Sequence, residues 1–582
     1  MKTTVLWIGI LNLFLLPTLS RAAEKPMVRL QTESIEQIHG KIFESYQTAT
    51  ALFPFLGMMN QVGRPSPQGE SPDETWSSIF FKKKFSSKLL PGVDLKKPLC
   101  LFSNLEASIL NGDFSKCEAV AAIPCNNELE FRTLLKKYEI GCTPSENGLN
   151  NLSVPNLPVP AFLRFQKGYA WISLISSKPI ETSALGELVK LIDPNQKDLL
   201  ALQLNVTRIP KELKKFASDQ IVSHLSEIPA PMSPPEEAVH KKLVPLAKKI
   251  QNQLLMESNE VNLKLDLDSK LLQFIVNLAL DGQAKTELSK DIAAYKTPEN
   301  SFGSLSKTEL TYGTFLRMPL FAPEIRDLGV ELLAQADQFL KADNALPEGT
   351  ALTSQFLKCL QSSVKKGNLD LAYIISAPNK DNQFTALAAL HLEEADTLLP
   401  LATKLIGVLP EDLKKLFKMD ATKVQGLSVN SFKLKDVLNE ADFDGIKGPF
   451  LTSVFGKDMD IKFAFAKDAL YVAIGPDAEQ KIAEAIQAKP LAMPVIDVGA
   501  NGKHTIEFLK ALSKNQMPAA MYGAFGNQEK FNMLSVKTKG GERLEIEVRT
   551  GLVAYFVMAF STFRAQQFQA VPAAPVLAPP QN

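Results

Sequence analysis

Three short stretches of this 582-residue chain carry side chains whose types and spacing could do chemistry. The first is His391-Leu392-Glu393-Glu394, a histidine beside two carboxylates, as a general base needs. It falls where a strand hands over to a helix, and there Glu393 and Glu394 favour the helix N-terminus electrostatically, which is the reading taken. The other histidines, His39, His224, His240 and His504, are scattered without a metal-type partner at helical spacing. Neither His-Glu-x-x-His nor Gly-x-Ser-x-Gly occurs. The second stretch, Gly499-Ala500-Asn501-Gly502-Lys503-His504-Thr505, sits between a strand and a helix like a phosphate loop. Its spacing is wrong, because four residues should separate the first Gly from Gly-Lys and a Ser or Thr should follow the Lys. A turn with a helix start accounts for it. The third is Glu440-Ala441-Asp442-Phe443-Asp444-Gly445. Alternate carboxylates before a turn-forming glycine begin a calcium loop, with Glu440, Asp442 and Asp444 as ligands. The twelfth position is Leu451 instead of Glu, and Lys447 opposes a cation, so an acidic turn is the simpler account. No other metal and no cofactor is read from the chain.

Four of the five cysteines, Cys100, Cys117, Cys125 and Cys142, fall in one short region. In an oxidising compartment they are disulfide candidates or buried thiols, and Cys125 with Cys142, flanking a helix, is the first pairing expected. A zinc site would want a Cys-x-x-Cys pair or a nearby histidine, and the region has neither. Cys359 shares helical spacing with Leu352 and Phe356 and reads as core.

The compartment follows from the first 22 residues. Lys2 gives a positive start, Val5–Leu16 an apolar run, Pro17 a break, and Ser20-Arg21-Ala22 a small-x-small cleavage site. A signal peptide over 1–22, cut after Ala22, is expected, since the apolar run is shorter than the roughly 20 residues of a spanning helix. The first cysteine is Cys100, which speaks against a lipid-anchored start. Leu552–Phe560 stops at Ser561, so no transmembrane segment is expected in the mature chain, and the protein is placed in the periplasm or outside the cell. With 64 basic and 63 acidic side chains, no global field invites nucleic acid.

The elements that must position any site read as one order written twice. Phe165-Gln166-Lys167-Gly168-Tyr169-Ala170-Trp171-Ile172-Ser173-Leu174 reads as two strands around a Lys-Gly turn. The same pattern returns in Phe465–Ile474, where Phe meets Phe, Lys meets Lys and Trp171 meets Tyr471. Before each hairpin stands a strand, Ala119–Ile123 or Ala386–Leu390, then a helix, Glu128–Tyr138 or Glu393–Leu405, then Leu-Ser-Val. After each come a helix, a strand and a helix: Thr182–Leu191, Leu199–Asn205 and Lys211–Leu225, or Asp477–Gln487, Val495–Val498 and Thr505–Ser513. A second hairpin closes each copy, around Asp268-Ser269 or Gly540-Gly541. The fold class expected is α+β, two tandem copies of a unit with an antiparallel sheet covered by helices, at 27–295 and 300–565. Val571–Asn582 is Pro/Ala-rich and reads as a disordered tail. Ahead of the first copy's hairpins, Gly63–Asp73 reads as a loop and Trp76–Leu89 as a helix with a lysine face. Between Val429 and Phe465 the second copy carries about 25 extra residues, and this insertion is expected at the boundary of the two lobes, against ligand or partner.

With Leu90-Pro91-Gly92-Val93-Asp94-Leu95 and Phe165–Leu174, this order of elements resembles a group of exported, internally duplicated bacterial proteins with no assigned activity. The resemblance implies an architecture and no catalytic residue. The function expected is a non-enzymatic binding or scaffold protein of the cell envelope, its partner another protein or a small apolar ligand. The alternatives are a hydrolase with a loop-assembled site and a periplasmic lipid carrier.

Overall fold

A computed structural model describes residues 26–52, 90–226, 234–317, 323–342, 347–434, 436, 448–457, 459–513 and 530–551. The expected signal peptide with Ala22, the Gly63–Asp73 loop, the Trp76–Leu89 helix, the calcium candidates Glu440, Asp442 and Asp444, and the tail lie outside these residues.

The first half runs β1 (Val28–Ser34), α1 (Ile35–Leu52), β2 (Pro98–Asn104), β3 (Glu118–Pro124), α2 (Glu128–Lys137), β4 (Gly141–Pro144), β5 (Asn150–Ser153), β6 (Ala161–Gln166), β7 (Tyr169–Leu174), α3 (Thr182–Lys190), β8 (Leu200–Asn205), α4 (Lys211–Ser226), α5 (Pro234–Asn252), β9 (Ser258–Asp268), β10 (Gln273–Gly282) and α6 (Glu287–Ala294). The second runs β11 (Glu299–Asn300), β12 (Leu310–Arg317), α7 (Pro323–Ala342), α8 (Pro347–Lys366), β13 (Asp370–Ser376), β14 (Ala386–His391), α9 (Leu398–Val408), β15 (Phe417–Val424), β16 (Leu427–Lys433), α10 (Gly448–Phe455), β17 (Asp460–Phe465), β18 (Ala469–Ile474), α11 (Ala478–Ile486), β19 (Leu491–Ala492), β20 (Ile496–Ala500), α12 (Gly502–Ser513), β21 (Lys530–Lys539) and β22 (Arg543–Gly551).

Apart from the small β11–β19 pair, these strands form one large antiparallel sheet. Across it the first half reads β4, β5, β6, β7, β3, β2, β1, β8, β9, β10. Inward from the opposite edge the second reads β15, β16, β17, β18, β14, β13, β12, β20, β21, β22. The two lists have the same form, and they meet where β10 pairs with β22 from Gln273↔Gly551 to Asp281↔Arg543. The Phe165–Leu174 and Phe465–Ile474 hairpins occupy the same place in their lists. The Lys-Gly turn of the first has φ of +54° and +77°, the paired positive values that match the twist of flanking strands.

Sequence alternation decides which face of the sheet is apolar. Near the junction Leu30, Leu202, Leu263, Leu278, Ile546 and Val536 stand opposite one another on six successive strands. A second row runs Leu200, Leu265, Val276, Val548, Leu534, Ile496. The reverse face carries Gln203, Asn262, Glu545 and Lys537. Most of the apolar face is only half-buried, and Phe274 is 45% exposed. Farther out, helices sit on both sides of the sheet. Asn127 caps α2 by accepting from the Leu129 and Glu130 amides, and this helix buries Phe131, Leu134 and Leu135 over Leu163 and Ala170. On the opposite side Leu185 and Leu188 of α3 pack with Phe102, Val120 and the fully buried Trp171.

Three expectations are adjusted. The helix expected from Glu393 starts at Leu398 after a 3-10 turn, because Glu394 takes a left-handed φ of +60° that breaks it. The amphipathic pattern from Glu236 to Met256 predicts one helix, but the α-helix ends at Asn252 and gives way to a π turn over Gln253–Glu257. The described part of the second-half insertion, α10, does not reach the β10–β22 junction: Val454 and Phe455 pack with Phe384 and Phe508 of their own half, where their apolar side chains fill the core.

Candidate functional site

The strand β3 reads Glu-Ala-Val-Ala-Ala-Ile-Pro, one charge ahead of an apolar run. Because strand side chains alternate, Glu118 points to the same face as Val120 and Ala122, toward α3. Opposite them on β2 stand Asn104, Phe102 and Cys100. Asn104 is held by its Oδ1, which accepts from the Met27 amide. Between β7 and α3 the connection runs seven residues, Ile175–Glu181, and includes a 3-10 turn at Lys178–Ile180. An open pocket of about 330 Å³ lies between this connection, the start of α3 and the strands. Phe102, Val120, Pro179, Leu188 and Leu191 supply its apolar wall, and Glu118, Lys178, Glu181 and Glu187 its charges.

Glu118 is 8% exposed. Among the described residues none donates a hydrogen bond to its carboxylate, and Lys178 acts on it only at a distance. Loss of water pushes its pKa up to about 7 against the opposing pull of the Lys178 charge. Its carboxylate faces the pocket, where water reaches it only in part, and a ligand that donates to it can make up what burial has taken away. Near neutrality such a group can accept from a cation or, protonated, donate to an acceptor.

The second half closes the same place. Across its sheet Ala122 faces Trp171 as Ala389 faces Tyr471, so Glu118 corresponds to Thr385 and Asn104 to Ser376. Thr385 is 1% exposed and its Oγ1 accepts from the Asp477 amide at 3.2 Å. The connection from β18 to α11 is three residues, Gly475–Asp477. Gly475 has φ +124° and its α-carbon lies so close to β14 that a Cβ would stand 2.5 Å from the Phe384 carbonyl oxygen. Ile374 and Leu387 are sealed by Ala478 and Ile482 of α11 and by Phe302 and Leu305.

The sites anticipated from sequence have structural partners. Lys366 holds Glu393 at 2.7 Å and pulls its carboxyl below the usual range, with His391 3.8 Å away. This ties α8 to the end of β14. The Gly499–Thr505 stretch is a turn leading into α12, where Asn501 accepts from the His504 amide at 3.2 Å. The His504 ring lies between Glu309 at 2.9 Å and Glu507 at 3.1 Å; Glu507 stands three residues on along α12, so His504 does have a carboxylate at helical spacing, while Glu309 comes from far off in the chain. Cys100, Cys125, Cys142 and Cys359 are free thiols, and Cys117 is fully buried. Burial pushes the Cys100 thiol up to about 12 and raises those of Cys125 and Cys142, which share one apolar cluster. Arg132 donates to the Cys142 Sγ at 3.0 Å. Among the described residues no three His, Cys, Asp or Glu side chains could hold a metal ion, and no helix is long and apolar enough to cross a membrane. Glu118 itself was missed; its signal was a charge at the inward parity of an otherwise apolar strand.

No family model matches the chain, and no curated protein matches it. Two solved structures show a slight likeness. One, crystal form IV of TP0453, has a TM-score of 0.20 and 10% identity, covering 45% of this chain and 78% of that one. The other, crystal form III of TP0453, has a TM-score of 0.21 and 10% identity, covering 47% and 87%. A likeness this slight assigns neither a family nor an activity.

Proposed function

We propose that this chain is an exported, non-enzymatic binding protein of the cell envelope, built by tandem duplication of one α+β unit, that takes a small, largely apolar ligand in the pocket between β2, β3 and α3. One observation carries the reading: Glu118 is nine-tenths buried, has no hydrogen-bond donor among the described residues and lines an open pocket of about 330 Å³ with an apolar wall. That volume lies at the small end of ligand sites. The shared strand order of the halves supports duplication, and the Lys2–Ala22 pattern supports export. Native mass spectrometry of protein purified from its own envelope tests the binding. A retained small molecule, absent from Ala184→Trp, which fills the pocket from α3, is the expected result. Retention by that variant would place the ligand elsewhere.

Lipid carriage is favoured by a different observation, the half-buried apolar face that crosses the junction through Leu263, Leu278 and Ile546. A fluorescent fatty acid displaced from wild type but not taken up by Leu278→Asp would support it.

A further inference from the structure

The charges around the pocket point to the kind of ligand it takes. Glu118 lies on β3, Lys178 on the 3-10 turn, and Glu181 and Glu187 at and along α3, so three acids face one base. Lys190 sits 2.7 Å from Glu187 and offsets it in part, but it does not reach the apolar floor where Glu118 stands. Asn104 is already engaged through its Oδ1. The unanswered group at the floor is therefore an acceptor of hydrogen bonds carrying negative charge. A neutral donor would satisfy its geometry alone, whereas a cation would satisfy geometry and charge together, and charge-assisted hydrogen bonds are the stronger kind. An anion would gain Lys178 but would have to lie against Glu118 and Glu181.

Resting on the pocket reading above, we infer that the ligand is a primary ammonium ion with an apolar body of about ten heavy atoms, a size suited to a site of this volume. Its nitrogen is held by the Glu118 carboxylate, and its body packs on Phe102, Val120 and Leu188. Recognition then depends on Glu118 being ionised. The ammonium keeps its charge throughout the range from pH 5 to 8, because an alkylamine titrates near pH 10. The carboxyl, raised by burial to about 7, takes up a proton as pH falls through that value, so cation preference is present at pH 8 and lost at pH 5.

Calorimetric titration of the full chain with three probes of one shape tests this: phenethylammonium, 2-phenylethanol and 3-phenylpropanoate. At pH 8 the ammonium should bind at least about tenfold more tightly than the alcohol, the margin of one charge-assisted hydrogen bond. Glu118→Gln, or pH 5, should remove that margin while the alcohol still binds, and Ala184→Trp should abolish binding of all three. Equal or tighter binding of the alcohol or the carboxylate, or an ammonium margin that survives in Glu118→Gln, overturns the cation assignment. If the alcohol binds and Ala184→Trp blocks it, the pocket reading stands without that assignment. If none of the three binds, both are overturned.

Discussion

Glu118 in one half and Thr385 in the other stand at the same place on the same strand, and their surroundings solve opposite problems. Around Thr385 a three-residue connection brings α11 down onto the sheet, and the hydroxyl receives the Asp477 amide. Nothing is left over there. Around Glu118 the connection is four residues longer, seven against three, and a pocket lies between α3 and a charge that Lys178 answers only at a distance. Two halves alike in strand order thus carry a closed and an open arrangement at matching positions. The difference rests on a connection and two side chains, with the strand order untouched.

The largest way to break this comparison acts on the closed side. Gly475→Ala places a Cβ 2.5 Å from the Phe384 carbonyl and 2.7 Å from the Thr385 α-carbon, both backbone atoms that cannot swing aside. It should cost about 3 kcal/mol, the upper end for strain at a special backbone position, because the clash with backbone adds to it. Denaturant unfolding would show it, and a loss under about 0.5 kcal/mol would mean that the connection has slack.

A smaller effect, of opposite sign, is expected on the open side. The Glu118 carboxyl titrates near 7 in the fold and near 4.5 when unfolded, so the unfolded chain gives up its proton first as pH rises. The penalty is absent below pH 4.5, grows between 4.5 and 7, and is complete above 7. Glu118→Gln removes the titration. It should therefore be more stable than wild type at pH 8 by about 2 kcal/mol, with solvent at the pocket mouth trimming the full linkage value, and the gain should vanish near pH 4. Stability against pH for the two proteins measures it directly. A pH-independent difference would mean that Glu118 has a partner.

Much of this frame was legible in the chain because repeated packing leaves repeated patterns. Trp171 and Tyr471 both had to fill a core under a helix, so aromatic residues recur at matched distances from the Lys of each hairpin. The period-two alternation of Leu263, Leu265 and Leu267 gave both the strand and its apolar face. What sequence did not give is telling. The edge strands β4 and β15 pass through Gly141-Cys142-Thr143-Pro144 and Lys418–Lys423, where pairing by backbone needs no apolar alternation. The helical hairpin α7–α8 opens each helix with a proline and was obscured by its mixed composition. The pocket depended on distance between elements far apart in the chain, Glu118 on β3 and Leu188 on α3. Single-residue types could not report it, although one inward charge could have drawn attention.

The last comparison is between the two ends of the junction itself, and it carries the smallest effect. Because β10 and β22 pair antiparallel, a perfectly symmetric join would carry the same contacts at both ends. At one end Gln273 faces Gly551, an uncharged pair. At the other Arg543 makes a two-pronged contact with Asp281, Nε at 2.8 Å and Nη2 at 2.9 Å, and lies 3.6 Å from Glu260. Both partners are about 30% exposed, so water screens the pair, yet the paired geometry raises it above an ordinary surface contact. A double-mutant cycle with Arg543→Ala and Asp281→Ala should return a coupling of about 1 kcal/mol, falling in high salt. If the coupling is that size, charge helps to lock the two halves at the Asp281–Arg543 end. Hydrogen exchange of the amides around Asp281 should then quicken in Arg543→Ala, and unchanged protection there would show the ion pair to be idle.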